Sequence, residues 1–447
     1  MRGIKRLLAL GISLMVVFSS TAAMADMLTN DYVDIKLGGY MKLDTYFNTN
    51  KVVNLDGPLW VDKSQTELYD DKEKTYGAAV RASRFWFKIG AKGLPEGYKL
   101  NAHLEIDFYG DYATSATGSR LPQLALRHYF VTLDMGKVAL VVGQTWMIAA
   151  PQFTSSFENL VQATKGNLWN RMPQISLKTK FDIFEGGKLR FDIGALRPIS
   201  ARDAAGVLVD NGGTGEITGI PMFQGRLGID WTMMGAVSTF GISGSFHRET
   251  YADPGIKVAA GGTEAALPFE GDDTVNSYLV AADAKLKMSL VTLTLEGYYG
   301  QNLDSFWGNT AKYGAVFVPY TDGVNSHVEV MSVKEVGGFA NIGIAATERL
   351  TLNFGGSAAY TLSQDDYNKD EGIDYNTPDL TGTSKLTDES KTGVPITMQY
   401  AVYGNVCYNV FKGFSVGYEL QYMATKWDGQ DKTAKNIFNN LMFKYVF

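Results

Sequence analysis

Between residues 99 and 110, Leu100, Ala102, Leu104, Ile106 and Phe108 alternate with Lys99, Asn101, His103, Glu105 and Asp107. A period of two sustained over ten residues is the mark of a β-strand with one apolar and one polar face. The polar row carries both signs of charge and a histidine, an odd load for a strand wetted only by bulk water. The pattern recurs along the chain. Strand-like runs fall near 33–47, 80–91, 99–110, 124–134, 137–146, 171–182, 188–197, 221–232, 237–248, 275–288, 291–301, 336–347, 350–361, 395–409, 414–426 and 436–447, sixteen in all. Most span 10–15 residues, against about five or six for ordinary strands. About 9–11 residues cross a bilayer at a tilt.

The connections alternate. Long ones at 48–79, 111–123, 147–170, 198–220, 249–274, 302–335, 362–394 and 427–435 are separated by short turns such as 134–136, 183–187 and 410–413. Short turns on one side and long loops on the other, with an even strand count, describe a bacterial membrane barrel. Alternation assigns the faces. Val33, Ile35, Leu37, Met41, Leu43 and Phe47 point outward, as do Phe85, Phe87 and Ile89, and Ile175, Leu177 and Phe181; their interleaved partners are polar or glycine. In lipid every backbone group needs an internal partner, so such a sheet closes on itself, and sixteen strands enclose a lumen wide enough for water. The expected fold is all-β: a 16-stranded antiparallel transmembrane β-barrel with short periplasmic turns and long external loops, in one domain over 26–447. Seven tryptophans near strand ends or in loops, among them Trp86, Trp146, Trp169, Trp231 and Trp307, are candidates for an interfacial aromatic girdle.

The first residues fit an exported protein. MRGIKR is followed by an uncharged run at 7–18 and the small-x-small site Ala23-Met24-Ala25, so cleavage is expected after Ala25. The chain carries 41 basic and 47 acidic residues; without Arg2, Lys5 and Arg6 the balance is 38 against 47, a net charge of −9. Nucleic acid is a poor partner for that balance. The single cysteine, Cys407, excludes an internal disulfide framework. No GxSxG, HExxH or Walker motif appears, and His103, His128, His247 and His327 are scattered rather than clustered as metal ligands are. Neither an enzyme, a cofactor nor a metal is expected.

The last run ends LMFKYVF, with Leu441, Phe443, Tyr445 and Phe447 on one face. This ending resembles the C-terminal aromatic signal of outer-membrane proteins. The stretches VDIKLGGYMKLDTYF, ASRFWFKIG, HLEIDFYG, LRHYF and VVGQTW, over roughly 33–175, resemble the sixteen-stranded porins of Gram-negative bacteria, most of all the DcaP-like porins. Ala125 stands where that family's pattern carries a second arginine. The resemblance implies a passive channel for small hydrophilic solutes with a mild preference for carboxylated and other anions. It also implies a homotrimer and a third external loop, here 147–170, that folds into the pore.

The candidate pore-lining and selectivity residues follow from face and charge. They are Lys36, Lys42, Arg84, Lys88, Lys99, Glu105, Asp107, Arg127, Glu158, Lys178, Lys180 and Arg190. Charged groups on a low-dielectric wall focus the local field and set ion selectivity; the same residues can also pair off into a structural network. Lys178 and Lys180 form the clearest basic ladder, and Glu158, one of two charges in loop 147–170, is expected to face the basic wall across a constriction. Outer-membrane lipid and lipopolysaccharide are the expected surroundings. The acidic run 364–374 offers carboxylates that divalent cations can bridge to lipopolysaccharide, or a plain solvated loop. A different class of reading is a plugged scaffold barrel whose loops bind surface or electron-transfer partners.

Overall fold

The computed structural model describes the chain apart from residues 1–30, 69–72, 111, 115–119, 200–213, 234, 251–256, 261–262, 267–273, 307–314, 322–325 and 363–395. The export segment, Trp307 and the acidic run 364–374 lie outside the described residues.

Each barrel strand pairs antiparallel with the next barrel strand along the chain, and the ring closes where Val33–Asn48 meets Ala434–Val446, with Tyr40 opposite Val446 and Asn48 opposite Phe438. Among the described residues, three two-stranded hairpins within 112–122, 257–266 and 315–332 stand apart from the barrel sheet. The expected boundaries hold to within a few residues except in the second stave. There two strands, Thr75–Ala79 and Arg84–Ala91, pair in turn with Val33–Asn48, so seventeen strands make sixteen staves. The break has a local cause. Arg81 is buried and donates from Nε to Asp56 Oδ2 at 2.8 Å, with Tyr109 stacked 4.2 Å from its guanidinium. Holding that side chain inside draws 80–83 out of the ladder.

The two faces separate as the alternation predicts. Met41, Ile175, Phe223, Ile242 and Phe354 are exposed, whereas Lys42, Asp44, Gln174, Ser176, Gln224 and Ser243 are buried. An apolar belt outside a closed sheet is the lipid-facing surface of a transmembrane barrel. Among the described residues no helix is long and apolar enough to cross a membrane. Trp231 stands in the outward row, but Trp146 and Trp169 turn into the lumen, 5.9 Å apart, and belong to no girdle.

The core of this barrel is inside it. Loop 147–170 folds into the lumen, as does the first long loop beyond Asn48, whose inward course the sequence pattern did not suggest. The root of the inner loop is set by Met147, Ile148, Leu168, Met172, Leu196, Met222, Leu279, Leu303 and Phe306, which cluster out of solvent. Full burial of side chains of this size contributes about 1.5–3 kcal/mol each, enough to hold one conformation. From the first long loop, Val52 and Val61 pack on Ala401 and Met423, while Leu59 packs on Leu160 and Trp169.

Residues 126–133, LRHYFVTL, place apolar side chains on both faces, and the backbone explains why. The ladder between Lys99–Asp107 and Ala125–Asp134 shifts register between Glu105 and Ile106, so Arg127 and His128 are both buried. A β-bulge of this kind aims two consecutive side chains at one face.

Candidate selectivity site in the lumen

Loop 147–170 visits the wall strands in their barrel order, and polar groups fix each stop. The Ile148 and Ala149 amides donate to Gln224 Oε1 at 2.8 and 3.1 Å, and the Ala150 amide donates to Ser243 Oγ at 3.1 Å. Gln152 donates from its amide to Glu296 Oε2 at 2.8 Å and from Nε2 to Asp283 Oδ2 at 2.9 Å. The Ser155 amide reaches Asn341 Oδ1 and Tyr403 Oη. Glu419 then accepts from Ser156 Oγ at 2.7 Å, from the Phe157 amide at 2.6 Å and from the Glu158 amide at 3.3 Å. The circuit ends on the first strand, where Lys42 Nζ donates to Asn159 Oδ1 at 2.6 Å and Asn159 Nδ2 donates to Asp44 Oδ2 at 3.1 Å.

The turn that follows is tight. Val161, Gln162 and Thr164 adopt positive φ, and Gly166 sits at φ 105°, where an added Cβ would lie 2.4 Å from Ala358 O and 2.5 Å from Gly338 O. Only glycine allows that approach to the wall. Glu158 and Lys165 pair at 3.4 Å inside this turn with no side-chain exposure. Burial pushes the Glu158 carboxyl up to about 7 and the Lys165 amine down, and their mutual attraction offsets part of each shift. The expectation that Glu158 faces the basic wall is therefore corrected: the loop folds over it, and its partners are Lys165 and Gln162.

The other candidates divide into four groups. Lys42 is nearly buried and serves as a loop anchor, with Asp44 3.1 Å away. Arg127 is a wall residue: it donates to Glu105 Oε1 at 2.7 Å and to Asp107 Oδ2 at 2.5 Å, so these three form a structural network. Lys36, Lys88, Lys99 and Lys180 are exposed toward the short-turn end of the barrel. Arg84, Lys178 and Arg190 remain on the uncovered part of the lumen wall.

On that part Arg84 and Arg190 stand further out than the carboxylates they pair with. The side chains of Arg84 and Arg190 are 30% and 37% exposed, against 13% for Glu105, 8% for Asp192 and 1% for Asp107. Arg84 stands in front of Glu105 and Arg190 in front of Asp192, while Asp107 is held by the buried Arg127. Opposite, Glu296 and Glu419 are covered by the loop, and Asp283 is also held by Arg226 Nε and Nη2 at 2.9 and 2.8 Å. Between loop and wall lies a cavity of about 270 Å³ lined by Trp146, Phe153, Trp169, Lys178, Arg190 and Arg226, among others. Arg171 stacks 4.9 Å from the Trp146 ring and 5.3 Å from the Trp169 ring.

Sequence reasoning did not single out Arg171, Trp146 and Phe153 for the pore, nor the loop-binding acids Asp283, Glu296 and Glu419. One signal for the acids was present. Inward-facing bases crowd the first half of the chain, while Asp283, Glu296, Glu335 and Glu419 occupy inward positions in the second.

No family model and no curated protein matches the sequence. Solved structures match the fold. The outer membrane channel DcaP of Acinetobacter baumannii superposes with a TM-score of 0.62 at 15% identity, over 94% of this chain and 99% of that one. OmpT of Vibrio cholerae in its trimer form gives 0.50 at 11% identity, over 93% and 100%. OmpF of Salmonella typhi, in complex with daunomycin, gives 0.50 at 10% identity, over 94% and 99%. The chain has the fold of the outer-membrane porins, a closed 16-stranded barrel.

Proposed function

We propose that this barrel is an outer-membrane diffusion channel for small hydrophilic solutes that favours anions. The reading rests on one observation: the inner loop is pinned to the carboxylates of one half of the wall, and the other half presents arginine and lysine tips to the opening. Arg226 offsets the charge of Asp283, and loop amides bond Glu296 and Glu419 and cover them from the opening, so those acids are set back from the passage. The net negative charge of the whole chain does not oppose this. External carboxylates more than about 10 Å away are largely screened at 0.1 M salt, whereas charges on a narrow low-dielectric wall are focused into it. In the same reading the mature chain begins at Asp26, forms a single barrel domain and assembles as a homotrimer.

The test is the reversal potential in a planar bilayer under a salt gradient. Wild-type protein should reverse toward the chloride equilibrium potential. Lys178→Glu changes the wall by two charges beside the cavity. At about 5 Å in water each unit is worth about 0.8 kcal/mol to a passing ion, so the anion-to-cation ratio should fall about tenfold or more. Lys180→Glu, at an exposed position nearer the short-turn mouth, should move it much less. The difference should shrink at 1 M salt, where the Debye length is about 3 Å. An unchanged reversal potential in Lys178→Glu, with conductance intact, would remove this lysine from the selectivity argument.

A further inference from the structure

The apolar belt is not smooth. On its outer face Gly225 pairs with Gly244, flanked in register by Ile193 on one side and Val280 on the other. With Phe223 and Phe246 these residues shape an external cleft of about 800 Å³. The two glycines lower its floor, and the four larger side chains stand beside it.

Arg248 lies two residues beyond Phe246 on the same outward row, about 7 Å further along the strand, toward the long-loop end. It is exposed, and its Nε donates to Asn276 Oδ1 at 3.2 Å. Asn276 in turn accepts at its carbonyl from Gln301 Nε2 at 2.9 Å. A polar row headed by a guanidinium thus crowns an apolar groove at the level where the belt ends.

We infer that the groove is a lipid site, which seats one acyl chain of a phosphorylated lipid of the outer leaflet and places the headgroup phosphate at Arg248. This rests on the outer-membrane placement of the barrel and not on channel activity. The medium around the belt is hydrocarbon, so burial alone selects nothing there; close packing and polar contacts decide which lipid stays. An apolar, glycine-floored groove open to the bilayer suits a methylene chain. An arginine at the interface suits a phosphate, whose oxygens match its forked donors. Anionic headgroups are also drawn to basic side chains at a membrane surface.

The test is native mass spectrometry of the purified full-length protein in detergent, with diphosphoryl lipid A, its dephosphorylated form, or inorganic phosphate as probes. Wild type should retain the diphosphoryl form in preference. Arg248→Gln should lower that retention about tenfold, as loss of a charged hydrogen bond does, down to the level of the dephosphorylated form. Gly225→Leu fills the floor, and its Cβ meets nothing closer than 3.7 Å; it should reduce retention of both lipid forms. The matched control Gly297→Leu, exposed on the same belt with its Cβ 3.8 Å from the nearest atom, should leave both unchanged. Inorganic phosphate should not displace the lipid. Equal retention of the two lipid forms, no effect of Arg248→Gln, or displacement by phosphate alone would overturn the site. So would a change of oligomeric state in Gly225→Leu with lipid retention unaltered, since the groove would then be a subunit contact. Failure of the channel reading would appear instead as missing conductance, with lipid retention untouched.

Discussion

Replacing Phe447 by Asp is expected to remove most of the folded protein from the membrane while leaving its transcript unchanged. Phe447 is the last tooth of the closing seam: its amide donates to Gly39 O at 3.1 Å, and its carbonyl accepts from the Gly39 amide at 3.2 Å. The ring lies over Gly39, where a Cβ would come within 2.7 Å of Cζ, and 5.9 Å from the Phe85 ring. It also belongs to the outward row of Leu441, Phe443 and Tyr445. The substitution removes the ring contacts that pack the seam against Gly39 and Phe85, and a carboxylate on the lipid face adds a penalty that depends on depth. The expected readout is a several-fold drop in the heat-modifiable band of the membrane fraction. Normal insertion of the Asp variant would show that the seam closes without this ring.

The second large effect concerns the inner loop. Glu419→Ala removes the acceptor for Ser156 Oγ, for the Phe157 and Glu158 amides, and for Asn405 Nδ2 at 2.8 Å. The Glu158 amide keeps Ser156 Oγ and Asn405 Nδ2 keeps the Ser155 carbonyl. Ser156 Oγ and the Phe157 amide lose their acceptor, and a buried donor left without one costs about 1–3 kcal/mol. The loop should detach between Gln152 and Asn159 while its root, packed around Met172 and Met222, stays in place. Single-channel conductance should rise and become noisier, and anion preference should weaken as Glu296 and Asp283 are uncovered. Conductance and selectivity equal to wild type would mean that the loop does not narrow the pore.

The staves were legible because a lipid-facing row and a lumen row alternate with period two, a signal that survives without any tertiary contact. Faces followed with them, down to the exposed Ile175 and buried Ser176. The split second stave was not legible: nothing local to 80–83 announces that Arg81 bonds Asp56. Nor was Glu158 legible as a buried residue, since its burial comes from a turn built on Val161, Gln162, Thr164 and Gly166 in left-handed conformations. Glu419 shows the general difficulty. As a lone carboxylate on an alternating strand it looks like any lumen residue, and it acquires its role only from backbone amides more than 250 positions earlier in the chain.

The charged candidates show the same limit from the other side. Lys42, Arg127 and Arg84 all carry positive charge and all face inward, so charge and face cannot rank them. What separates an anchor from a wall pair and from a pore residue is which loop or carboxylate lies within 3 Å or so, and that is decided by the bulge at Glu105 and the path of the inner loop.

An open, water-filled passage beside the inner loop is measured most directly by the conductance of purified wild-type protein in a planar bilayer. Discrete open-channel steps are expected, scaling with the conductivity of the bathing salt and reversing toward chloride in a gradient. A correctly inserted, heat-modifiable protein that gives no steps would contradict it, and would instead describe a barrel plugged by its own loops.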